Sequence, residues 1–122
     1  MKKIVEILMV EDQKHWTLSF KMALNLIIGK KGYNLKIIDN APEAILVLKD
    51  QTFDLIWLDG FLENDTLGED VLKQLSPEVL KTTVFSSSNN KLKKEIEQNY
   101  DVSVIRKDLD EWKKQLKKLF GS

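Results

Sequence analysis

The stretch Phe53-Asp54-Leu55-Ile56-Trp57-Leu58-Asp59-Gly60 constrains the fold of this chain more than any other. Four apolar residues run without a break from Leu55 to Leu58, then stop at a carboxylate followed by glycine. A short continuous apolar run with such an end reads as a strand buried on both faces, which is the signature of a parallel sheet covered by helices. Asp59 then stands at the carboxyl end of that strand. In open α/β sheets that edge is where ligands bind.

The rest of the chain supplies the alternation that such a sheet needs. Lys3–Val10 reads as a first strand, and the amphipathic spacing of Trp16, Phe20, Ala23, Leu24 and Ile27 predicts a helix over 13–28. A second strand is expected over 34–39, then a helix opened by the Asn40-Ala41-Pro42 start signal. After the third strand, residues 60–68 read as a polar, glycine-bounded loop, and a short helix over 69–75 ends at Ser76-Pro77. Thr82–Phe85 reads as a fourth strand running into a serine loop that caps a helix over 91–99. A fifth strand over 102–105 is followed by Asp108 as the cap of a last helix. That helix carries Leu109, Trp112, Leu116, Leu119 and Phe120 on its apolar face. Five short strands alternating with five helices imply right-handed crossovers and one doubly wound α/β domain over 1–122.

Composition excludes several function classes. Nineteen basic and nineteen acidic residues cancel, so no net basic field draws nucleic acid or an anionic membrane. With no cysteine and one histidine, thiolate chemistry and multi-histidine metal sites are excluded. No stretch has the length of a signal peptide core or a membrane span, so a cytoplasmic protein is expected. His15 reads as a surface residue, and Trp16, Trp57 and Trp112 as core or half-buried aromatics.

In a parallel sheet the residues that follow each strand share one rim. Here they are Glu11-Asp12, Asp59, Ser86-Ser87-Ser88 and Lys107. Clustered carboxylates suit a hard divalent cation such as Mg²⁺, which takes oxygen ligands and keeps some water. A carboxylate among them can attack phosphorus to give an aspartyl phosphate, with an ammonium and the metal neutralising the transferred charge.

With the motifs Ile7-Leu8-Met9-Val10-Glu11-Asp12, Asp54-Leu55-Ile56-Trp57-Leu58-Asp59, Val84-Phe85-Ser86-Ser87 and Val104-Ile105-Arg106-Lys107, the chain resembles the receiver domains of two-component response regulators. The resemblance spans nearly the full length and implies a flavodoxin-like fold with strand order 2-1-3-4-5. It implies that Asp59 is the phosphoacceptor and that Asp12 binds Mg²⁺ directly. Glu11 completes the acidic pair, and Phe61 offers its backbone carbonyl to the metal. Ser86 matches the switch hydroxyl and Ser87 its small neighbour, although the serine run permits a one-residue shift that gives Ser87 the switch role. Lys107 matches the lysine that pairs with the phosphoryl group. The implied partners are a histidine kinase or phosphotransfer protein and a downstream protein target, and a homodimer is compatible with the family.

Three positions depart from the family pattern. Asp108 stands where a proline usually follows the lysine, Glu63 where the loop usually has proline, and Val104 where an aromatic rotamer switch is common. These departures motivate a second reading, a pseudo-receiver that serves docking without phosphorylation. A third reading, a phosphohydrolase, is disfavoured because Phe61 stands where such enzymes carry a second aspartate. A switch protein rather than an enzyme is therefore expected.

Overall fold

In the computed structural model, residues 4–60 and 68–121 are described. Phe61, and with it the expected carbonyl contribution to a metal site, lies outside the described residues, as does Glu63. The chain runs β1 (Val5–Val10), α1 (Lys14–Ile27), β2 (Tyr33–Ile38), α2 (Ala41–Asp50), β3 (Leu55–Asp59), α3 (Glu69–Leu72) and α4 (Pro77–Leu80). It continues through β4 (Thr83–Ser87), α5 (Asn90–Asn99), β5 (Ser103–Arg106) and α6 (Leu109–Phe120). The five strands among the described residues are all parallel, as the alternation predicts, and lie in the order β2-β1-β3-β4-β5, as the resemblance implies.

Strand side chains alternate between faces, and here they feed two cores. Ile7, Met9, Leu55, Trp57 and Val84 pack with Phe20 and Leu24 of α1 and with Trp112 and Leu116 of α6. Leu8, Val10, Ile56, Leu58 and Phe85 pack on the opposite face with residues of α2, α3, α4 and α5. The central strand β3 is buried along its whole length. Among the described residues no helix is long and apolar enough to cross a membrane.

The helix count is six among the described residues, against five expected. Ser76-Pro77 starts a helix instead of merely ending one. The Ser76 side chain accepts from Val79 N–H and Pro77 stands in the first turn of α4, where a missing N–H costs nothing. The serine run was expected as loop, yet β4 extends through Ser87, with Ser86 opposite Ile105 and Ser87 opposite Arg106. The cap of α5 is Asn89, whose side chain accepts from Leu92 N–H at 2.9 Å, and not a serine. Asp108 caps α6 as expected, accepting from the N–H groups of Asp110 and Glu111. On α6 the buried face is Trp112 and Leu116, while Leu109 and Leu119 stay exposed at its two ends.

Candidate functional site at the carboxyl rim

Face alternation positions the acidic groups. Glu11 continues the Ile7–Met9 series of β1 and Asp59 continues Leu55–Trp57 of β3, so both carboxylates emerge on the α1/α6 face of the sheet. Both are buried, at 2% and 5% exposure. Asp12, half-buried, stands beside them, and one carboxylate oxygen from each of Glu11, Asp12 and Asp59 lies within 4.8 Å of the others.

Lys107 follows β5 and reaches back over this group. Its N–H donates to the Ser87 carbonyl at 3.1 Å, which fixes the backbone from which the side chain departs. Nζ then lies 2.8 Å from Glu11 Oε1 and 3.1 Å from Asp59 Oδ1. Glu11 is fixed from its other oxygen: Oε2 accepts from the N–H groups of Asp12 and Gln13, at 3.0 and 3.1 Å. Gln13, the residue that precedes α1, makes no side-chain cap, and the two N–H groups that Glu11 satisfies lie just before the helix and not in its first turn.

Burial and the neighbouring Asp59 charge push the Glu11 carboxyl up from 4.5 to about 8, against the opposing pull of Lys107 and the hydrogen bond from Gln13. One ammonium does not offset the acids around it. The donor set is three carboxylates, all oxygen, with an excess of negative charge in a buried place. That set fits a hard divalent cation.

The cleft beside these groups has a volume of about 340 Å³ and is lined by Asp12, Gln13, Trp16, Asp59, Ser87, Ser88 and Lys107. Ser86 is not among them. Ser86 pairs in register with Asp59 on β3, but its Oγ accepts from the Trp112 indole N–H at 2.8 Å within the α1/α6 core. The expectation gave Ser86 the switch hydroxyl with Ser87 as the alternative. Here Ser86, although on the same face of the sheet as Asp59, turns its hydroxyl to Trp112, and Ser87 is the serine that lines the cleft. Ser86 follows Val84 on the α1/α6 face, whereas Ser87 follows Phe85 on the other. At the rim Ser87 lies against Gly60, where an added Cβ would stand 3.0 Å from Ser87 Cβ. Ser87 Oγ accepts from Asn89 N–H at 3.0 Å, and a hydroxyl that accepts still has its own proton to donate.

Gly60 and Gly68 meet beside Asp59. Gly68 N–H donates to the Gly60 carbonyl at 3.0 Å. A Cβ at Gly68 would collide with the Asp59 carbonyl oxygen, so the backbone at Gly68 fits beside the phosphoacceptor candidate only without a side chain.

The sequence reading missed Trp16 as a site residue. It counts among the apolar face of α1, yet its ring lines the cleft, and Lys107 Nζ lies 5.2 Å from the ring centroid. The available signal was its place in the first turn of α1, four residues after Asp12, at the same rim as the acids. His15 is exposed, with its ring 5.1 Å from that of Trp16. Trp57 and Trp112 are buried core residues, as expected.

No family model and no curated protein matches the chain. Solved structures do. A phosphorylated cyanobacterial phytochrome response regulator shares 21% identity at a TM-score of 0.78, over 96% of this chain and 91% of that one. The fold is that of a response regulator receiver domain. A second such receiver domain, from Methanospirillum hungatei, aligns at a TM-score of 0.73 with 21% identity over 97% and 94% of the two chains. The Mn²⁺-bound form of the response regulator Rcp1 aligns at 0.70 with 20% identity over 94% and 91%. What this chain shares with these receiver domains is the course of the backbone.

Proposed function

We propose that this receiver-fold chain accepts a phosphoryl group on Asp59 from a histidine kinase or phosphotransfer protein and thereby switches a surface read by a partner protein. The observation that carries the reading is the Lys107 ammonium held between Glu11 and Asp59, 2.8 and 3.1 Å away, beside an open cleft. A structural ion pair needs one carboxylate; a lysine shared by buried acids at an open rim suits a charge that comes and goes.

In the transfer, an Asp59 carboxylate oxygen attacks phosphorus. A new O–P bond forms as the P–N bond of a donor phosphohistidine breaks, and the leaving imidazole keeps the bonding pair. The product is a mixed anhydride at Asp59. Glu11, Asp12 and Asp59 are the residues that would hold Mg²⁺, which supplies charge neutralisation at the transferring phosphoryl group. Lys107 donates to a phosphoryl oxygen from the β5 side. Ser87, not Ser86, is the hydroxyl donor from the β4 side, because it lines the cleft while Ser86 serves Trp112. The Mn²⁺-bound Rcp1 structure adds support for a divalent cation in a site of this fold.

Calorimetry with Mg²⁺ and beryllofluoride, a phosphoryl mimic, tests the reading. Binding by the wild type and its loss in Asp59→Asn are expected. A wild type that binds neither Mg²⁺ nor beryllofluoride overturns the phosphoacceptor role and leaves the docking module.

A further inference from the structure

Lys107 has a third neighbour besides the two carboxylates. Its Nζ lies 5.2 Å from the centroid of the Trp16 ring, within the range at which an ammonium is attracted by an indole face. Trp16 is in turn held from behind. Its ring packs on Trp112 with centroids 4.8 Å apart, and Trp112 is 1% exposed with its indole N–H donating to Ser86. Phe20 and Trp57 close the cluster, with centroids 5.9 and 5.5 Å from Trp112. The half-buried Trp16 is the only member whose ring lines the cleft.

We infer that Trp16 is a positioning residue for phosphoryl transfer: its ring, fixed through Trp112 and Ser86, holds the Lys107 ammonium at the cleft wall beside Asp59. This rests on the phosphoacceptor reading above. The argument is one of preorganisation. A lysine side chain has four rotatable bonds and no planar fork to orient it. Two carboxylates on one side attract it but leave it free to slide between them. An aromatic wall on another side narrows that freedom, so the ammonium waits where charge develops on the phosphoryl group. The serine that does not reach the cleft acquires a part in the same device. It anchors the indole on which the wall leans, and a buried donor without such an acceptor is costly.

The test compares Trp16→Leu, which removes the ring, with Trp16→Phe, which keeps a weaker one. The first readout needs no metal and no phosphodonor. In the wild type, the Lys107 methylene protons next to Nζ should show an upfield ring-current shift by NMR, lost in Trp16→Leu and partly kept in Trp16→Phe. The second readout is the rate of phosphorylation by a small acyl phosphate with Mg²⁺. Trp16→Leu should be slower by about fivefold, the scale of one cation–π contact at a partly exposed site, and Trp16→Phe should recover most of the rate. Melting curves check that both variants are folded. Unchanged Lys107 shifts and equal rates in folded Trp16→Leu, with a normal Asp59-dependent product in the wild type, overturn this inference alone. No Asp59-dependent product in the wild type overturns the phosphoacceptor reading and this inference with it.

Discussion

Replacing Glu11 by glutamine should change how stability depends on pH, in a direction fixed by the site. The Glu11 carboxyl ionises near 4.5 in the unfolded chain and is pushed to about 8 in the fold by burial first and by the Asp59 charge second. Between those values the native state keeps a proton that the unfolded state has released. Stability therefore falls as pH rises, at up to about 1.4 kcal/mol per pH unit for one group. The contribution is fully present below about pH 4.5 and lost by about pH 8. Over that window the bound is ~5 kcal/mol, and water reaching the carboxylate through the cleft lowers it. For a chain of 122 residues, unfolding entropy converts 1 kcal/mol into about 4 °C of melting temperature. Glutamine cannot ionise, so the difference between the two proteins isolates the one group. Thermal melts of both from pH 5 to 8, without divalent cation, should show the wild type losing 5–15 °C relative to Glu11→Gln, as an estimate of roughly one to three and a half kcal/mol. Mg²⁺ at about a hundred times its dissociation constant should return about 2.7 kcal/mol to the wild type, most fully at pH 8 where Glu11 is ready to bind as a carboxylate. A wild-type minus Glu11→Gln difference that stays flat over this range refutes the reasoning.

Other substitutions separate roles that lie side by side in the chain. Ser86→Ala leaves the Trp112 indole N–H buried without its acceptor and should cost about 1–3 kcal/mol by urea unfolding. Ser87→Ala should cost less stability but weaken beryllofluoride binding, by tenfold or so for one lost hydrogen bond to a charged group; the reverse assignment predicts the opposite pair of results. Gly68→Ala places a Cβ on the Asp59 carbonyl oxygen and should destabilise by about 1–3 kcal/mol, the usual scale for overpacking, with a visible shift of the Asp59 and Gly60 amide resonances.

Much of this was legible in the sequence for a simple reason. Glu11 and Asp59 each stand directly after an apolar run and Lys107 follows Arg106 at the end of the fifth strand, so recognising the strand ends was enough to bring them to one rim. The strand order follows from the family resemblance and is what the sheet shows. The choice between Ser86 and Ser87 was not legible, because it depends on which neighbour each hydroxyl turns to at the rim and not on the alternation of the strand. The residue that decides it, Trp112, lies 26 positions further on. Helix α4 was hidden because Ser-Pro marks both an end and a beginning. Trp16 was hidden because an aromatic in the apolar stripe of a helix is usually core, and here the stripe extends to the open rim.

The phosphoryl group is expected on Asp59. Incubation with Mg²⁺ and a small acyl phosphate, followed by borohydride trapping and peptide mass spectrometry, measures it directly. A single Mg²⁺-dependent acyl phosphate on Asp59, absent from Asp59→Asn, is the expected result. Modification at another residue, or none at Asp59 under conditions where Mg²⁺ is bound, would contradict it.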